Sequence, residues 1–136
     1  MSSISYTGKF IYGVMSNDAT LTALVPAAKI QPSAIYNQKP EEGIYYEILN
    51  IQKDNVKGVQ RAPISTAVVN IECFNAEYNI VQDIAHRIQV LFDKKTPATY
   101  YGVSLNGCIV TNYRTDYDSI NNLHYVSLVI DVRLNT

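Results

Sequence analysis

Tryptophan is absent from this 136-residue chain, cysteine occurs only twice and phenylalanine three times. Neither sign of charge dominates, since 11 Lys plus Arg stand against 12 Asp plus Glu for a formal net charge of −1. Each shortage excludes something. Cys73 and Cys108 have no CxxC or Cys/His cluster around them, so they supply neither a disulfide framework nor a zinc site. Both fall in runs that read as strand, where a free thiol behaves as a small buried hydrophobe. Cations scattered along the chain argue against nucleic-acid binding as a source of affinity. No apolar run approaches the roughly 18 residues of a membrane span, and no basic start precedes an apolar segment. Export and membrane insertion are therefore not expected, and the protein is expected inside the cell that makes it. No GxxxxGK or GxGxxG stands between a strand and a helix, which leaves no phosphate loop.

What the chain has is tyrosine, with 11 copies, a bias toward strands and contact surfaces because the ring is apolar and the hydroxyl tolerates water. The clearest pattern lies near the C-terminus. Val126, Leu128, Ile130, Val132 and Leu134 occupy every second position, a long strand with one strongly apolar face. Residues 107–117 form a β-branched and aromatic run before it, with turn formers at Asp118-Ser119-Ile120-Asn121-Asn122 between the two. This is a hairpin that needs cover, since two strands alone are not stable in water.

The rest of the chain supplies that cover. Tyr6, Phe10, Ile11 and Val14 recur at helical spacing, and Asp18 is placed to cap a second short helix carrying Leu21, Leu24 and Val25 up to Pro26. Lys29-Ile30-Gln31-Pro32 is long enough only for an edge strand. Ile44–Lys53 and Ala67–Phe74 read as two strands joined by a long polar loop from Asp54 to Pro63, a second hairpin. Asn75 stands where an N-cap belongs before Tyr78, Val81, Ile84, Ala85, Ile88, Leu91 and Phe92, the longest apolar stripe at helical spacing, which Asp93-Lys94-Lys95-Thr96-Pro97 closes. The expected fold is α+β. A mostly antiparallel four- to five-stranded sheet of two hairpins packs on one long amphipathic helix, with a short N-terminal helical elbow, all in one domain spanning 1–136.

Candidate chemistry is thin. His86 lies on the polar flank of the long helix and His124 opens the last strand, neither beside a placed partner. Glu41-Glu42 falls in a Pro/Gly loop and Asp116 with Asp118 at a turn, usual places for solvated carboxylates. No nucleophile, base and orienting group can be named together, so no catalytic, cofactor or metal site is expected. Exposed strand edges on a small, near-neutral domain suit assembly into a ring through edge or loop contacts. The Asp54–Pro63 loop is longer than a hairpin needs. That makes Lys53, Asp54, Lys57, Gln60 and Arg61 candidate subunit or tube contacts.

The order of these segments resembles the small tail-completion, or tail-terminator, proteins of long-tailed bacteriophages. The opening helix and Asp18-Ala19-Thr20-Leu21-Thr22-Ala23-Leu24-Val25 are similar to that family's helix and "D-x-x-L-x-x-L-V" elbow. Ile30-Gln31-Pro32 matches its short "I-x-P" strand, and Gly43-Ile44-Tyr45-Tyr46-Glu47-Ile48 stands where it writes "P-Y-I-V-Y", with glycine in place of the proline. Val68-Val69-Asn70-Ile71-Glu72-Cys73-Phe74-Asn75 and Tyr125–Arg133 resemble its remaining strands, without the usual tryptophan near Cys73-Phe74. The resemblance implies a non-enzymatic virion protein at the head-proximal end of the tail. It would form a ring, six copies in that family, that caps the tail tube, meets the head connector or stopper proteins and lets DNA through its lumen without specific binding. A head-tail stopper or connector adaptor is the neighbouring alternative. A cellular ligand-binding α+β domain stands third.

Overall fold

The computed structural model describes residues 3–33, 40–54 and 64–135. Helix α1 (Ser3–Ser16) opens the chain, followed by α2 (Ala19–Leu24) and a 3-10 turn over Ala27–Lys29. Strands β1 (Ile30–Pro32), β2 (Gly43–Asp54) and β3 (Ile64–Asn75) precede α3 (Tyr78–Phe92), and β4 (Thr99–Tyr100), β5 (Val103–Asp118) and β6 (Leu123–Asn135) complete it. The strand order is β1-β2-β3-β6-β5-β4. β1 runs parallel to β2, with Ile30 opposite Ile44, and every other pairing is antiparallel.

This corrects the fold expected from sequence. The sheet has six strands and is mixed, and it curls into a half-barrel with helices instead of lying on one long helix. Two physical reasons account for the difference. β1 and β4 are three and two residues long, too short to show alternation. The apolar side of α1 is also as deeply buried as that of α3: Phe10, Ile11 and Met15 are fully enclosed, as are Val81, Ile84, Ile88 and Phe92. Phe10 sets its ring edge-on to Phe92 at 5.9 Å and to Tyr100 at 6.0 Å. α1 touches β1 and β2 on one side and β4 and β5 on the other, so the sheet bends around it.

The core is built from cross-strand rows. Ile48, Val69, Ile130 and Val110 form one row, and Ile44, Cys73 and Val126 another, which ends at the exposed Thr115. Alternation along β3 and β6 turns Ala67, Val69, Ile71 and Cys73, with Val126, Leu128, Ile130 and Val132, toward the helices. The valine, leucine and isoleucine side chains of this set each contribute roughly 1.5–3 kcal/mol when fully buried. Bulges in β2 near Leu49 and in β5 near Asn106 and Thr111 shift the alternation.

Two local details explain sequence choices. Gly43 has φ 151°, and a Cβ there would sit 2.7 Å from the Lys29 carbonyl oxygen, so only glycine lets β2 start this close to β1. Asn75, expected as the cap of α3, instead accepts the Glu77 N–H at 2.8 Å, and Glu77 takes the capping position. Asn75 is still in β3, and the Asx turn it forms delays the helix. Asp18 does cap α2, its side chain accepting the Leu21 N–H at 2.8 Å.

Candidate assembly surfaces

With the helices on one side of the sheet, alternation sends the intervening residues to the other. Tyr45, Phe74 and Tyr125 cluster there, Phe74 lying 5.7 Å from Tyr45 and 5.2 Å from Tyr125 between ring centroids. Arg114 donates to Asp116 at 2.9 Å, and the Tyr125 hydroxyl approaches the same carboxylate at 3.3 Å. The Arg114 guanidinium holds the Asp116 carboxyl below its usual range. Partial burial, together with the Asp116 charge, pushes the Tyr125 phenol up. Ser127 Oγ donates to Asn70 Oδ1 at 2.7 Å, extending the polar lattice along the sheet.

The two long flanking strands differ at their edges. On β5, the Leu105 amide donates to the Ala98 carbonyl at 2.8 Å and the Val110 amide to Asp93 Oδ1 at 3.1 Å, while the Cys108 carbonyl accepts the Lys94 N–H at 2.9 Å. Further along, the Tyr113 amide bonds Asn112 Oδ1 at 2.9 Å and the Tyr117 amide bonds Asp116 Oδ1 at 2.8 Å. These groups are satisfied without a neighbouring strand. On β2, pairing with β1 covers only Ile44 to Tyr46, and among the described residues no strand pairs with its outer edge beyond that point.

The β5–β6 turn is held from within. Asp118 Oδ1 accepts the Ile120 and Asn121 amides at 3.0 and 3.1 Å, and Asp118 Oδ2 accepts Asn121 Nδ2 at 2.7 Å. This presents Ile120, 87% exposed, at the tip. Behind it, the His124 ring lies 4.7 Å from Tyr117 and 5.5 Å from Tyr78.

The candidate residues from sequence are distributed as follows. Lys53 and Asp54 end β2, opposite Ser65 and Ile64, while Lys57, Gln60 and Arg61 lie outside the described residues. His86 is exposed on α3 and His124 is half-buried among tyrosines. Cys73 and Cys108 are buried free thiols, and burial pushes both up to about 12. Glu42 accepts the Ala76 amide at 2.9 Å, and Glu41 faces Lys29 at 4.0 Å. Among the described residues no three His, Cys, Asp or Glu side chains converge as a metal site, and no helix is long and apolar enough to cross a membrane. Sequence reasoning missed the satisfied β5 edge. The signal available was Asn112 and Asp116, each immediately before a tyrosine in a strand.

No family model matches the chain, and no curated protein matches it by sequence. Among solved structures it is similar to a chain from the virion of a native gene transfer agent (GTA) particle, with a TM-score of 0.69 at 14% identity. The likeness covers 98% of this chain and 100% of that one. The two chains share a fold. At this identity the shared property is the path of the backbone.

Proposed function

We propose that this protein is a structural component of a phage-like virion, a tail-terminator or completion protein whose copies form a ring on the head-proximal end of the tail tube. The observation that carries the reading is the end-to-end likeness to a chain of a GTA virion, leaving neither chain with a substantial unmatched part. The order of motifs from Asp18 to Arg133 supports the finer role. In this role the protein does no covalent chemistry. Its work is done by surfaces: the knitted outer sheet face, the presented hairpin tip and the ends of the strands. Its ring would meet the tail-tube protein on one side and connector or stopper proteins on the other, with six copies as the expected number.

Electron microscopy of the purified protein, alone and mixed with tail tubes, tests this directly. Rings seated on one end of each tube, with tube growth stopped, are the expected result. Rings that bind portal assemblies but not tubes would assign the protein to the connector side instead. No binding to either would overturn the virion reading.

A further inference from the structure

Among the described residues, charge is unevenly distributed along the strand direction. At the end of the sheet that holds Gly43, Asn75 and Leu123 lie Glu41, Glu42, Glu77, Asp116 and Asp118, with Lys29 and Arg114 already engaged by Glu41 and Asp116. Toward the opposite end lie Lys9, Lys94, Lys95 and Arg133. Lys9 stands beside the β4–β5 turn at Gly102, Lys95 sits 4.4 Å above the Tyr100 ring, and Arg133 lies opposite Thr66 and Gly107. Of the carboxylates on this side, Asp93 is turned onto the Val110 amide and Asp18 onto Arg87, Asp131 lies two residues before Arg133 on β6, and Asp54 follows Lys53 at the end of β2. Eight residues of β3 separate Phe74, opposite Gly43, from Thr66, opposite Arg133, so the two groups of charge are ~25 Å apart. That is several Debye lengths at physiological salt, and neither end neutralises the other.

The dipole of α3, which starts at the acidic end and finishes at the basic one, accounts for Glu77, Lys94 and Lys95 as stabilising neighbours of its termini. It does not account for Glu41, Glu42, Asp118, Lys9 or Arg133, which lie on other elements. Each end also carries an exposed apolar side chain: Ile120 beyond the acidic end and Tyr101, 44% exposed with φ 53°, at the basic one. An apolar anchor ringed by charge is the composition of a docking patch.

We infer that the acidic end of one copy docks on the basic end of the next, the two patches being the complementary halves of one heterologous contact. Resting on the ring reading above, this names the partner of the two ends as a second copy of this chain. Unlike ends meet twice in an antiparallel two-fold dimer and once per junction in a head-to-tail array. The single contact per junction is the one inferred; it generates a closed ring when the rotation between copies closes, and self-association that stops at two copies would overturn it. Like ends repel, which selects the head-to-tail arrangement.

Charge reversal tests the pairing. Lys9→Glu with Lys94→Glu makes both ends acidic, and Glu41→Lys with Glu77→Lys makes both basic. Sedimentation of the full chain at low ionic strength should show each double variant weakened in self-association by roughly tenfold or more. An equimolar mixture of the two should recover assembly, because unlike ends then meet at every junction. Wild-type assembly should weaken as salt rises. Thermal unfolding confirms that both variants are folded. Variants that assemble as the wild type does, or a mixture of folded variants that stays monomeric, would overturn the contact and leave the virion reading intact. A wild type that is monomeric at every ionic strength also overturns the contact, and the capping of tail tubes by that same sample then decides the proposed function separately.

Discussion

Asp18 and Arg87 form a two-pronged ion pair, Oδ1 lying 2.8 Å from Nη2 and Oδ2 2.9 Å from Nε. The same carboxylate caps α2 through the Leu21 amide, so one side chain starts a helix and fastens it to α3. Arg87 and the Leu21 amide hold the Asp18 carboxyl below its ordinary value, against the opposing effect of burial.

Asp18→Asn keeps a capping oxygen and loses the ion pair, whereas Asp18→Ala loses both. The alanine variant should be less stable than the asparagine variant by about 1 kcal/mol, the usual worth of an N-cap. The pH dependence separates them from the wild type. Because the folded value is lowered, the ion pair's contribution is complete above the unfolded carboxylate value near 4 and is lost as pH falls through the lower folded value. Urea unfolding between pH 6 and pH 2 should show an acid limb in the wild type that is reduced in Asp18→Asn.

Gly13 sits inside α1, where glycine costs about 1 kcal/mol relative to alanine. A Cβ at this position would lie 2.6 Å from the Tyr101 ring, so the glycine serves a close approach. Gly13→Ala should therefore destabilise by about 1–3 kcal/mol, the usual cost of overpacking. In a Tyr101→Ala background the same change should stabilise, and calorimetry of the four proteins in that cycle reads the reversal of sign.

Ile130 and Ile88 are both fully enclosed where β6 packs under α3. Replacing either by alanine should cost about 2–5 kcal/mol, including the cavity left behind. Denaturant unfolding with an unchanged slope would assign the loss to the folded core.

Cys73 and Cys108 should resist thiol reagents at neutral pH and react only on unfolding, because burial keeps both protonated, with values near 12. The sign of the linked effect is opposite to that of Asp18. Between about pH 9, where unfolded thiols ionise, and pH 12 the native state binds more protons than the unfolded one, so stability falls as pH rises. A Cys73→Ala, Cys108→Ala double variant should lose that part of the alkaline decline.

The parts legible in the sequence were those whose residues interact with near neighbours or repeat over many turns. Asp18 announces α2 because a cap acts within three residues, and Val126 to Leu134 announce β6 because alternation persists along the strand. The paired runs around Ile71 and Ile130 made both hairpins readable. Ile30 to Pro32 was readable as a short edge strand, but nothing in it says that it runs parallel to β2, and Tyr100 gave no sign at all: β4 is a strand only because β5 lies beside it, and pairing between distant segments leaves no local pattern. The stripe of α1 was visible, yet nothing in Phe10 or Met15 says that the helix carrying them lies between the two flanks of the sheet, touching β1 and β2 on one and β4 and β5 on the other. Asn75 misled because the residue type that caps a helix also makes the turn before one. The assembly surfaces were least legible, since the ends of the sheet gather Glu41 with Asp118 and Lys9 with Arg133 from opposite parts of the chain.

The satisfied edge of β5 sets a limit on growth. A sheet extends from molecule to molecule only if each newcomer offers a second receptive strand after docking with its first. On β5, Ala98, Asp93, Lys94, Asn112 and Asp116 already occupy backbone groups that an incoming strand would require. A second molecule that pairs with β2 through its own β2 would offer the next one an edge whose Leu105, Val110, Tyr113 and Tyr117 amides and Cys108 carbonyl are already taken. A handful of side chains and one helix terminus thus make this flank a poor template for strand addition.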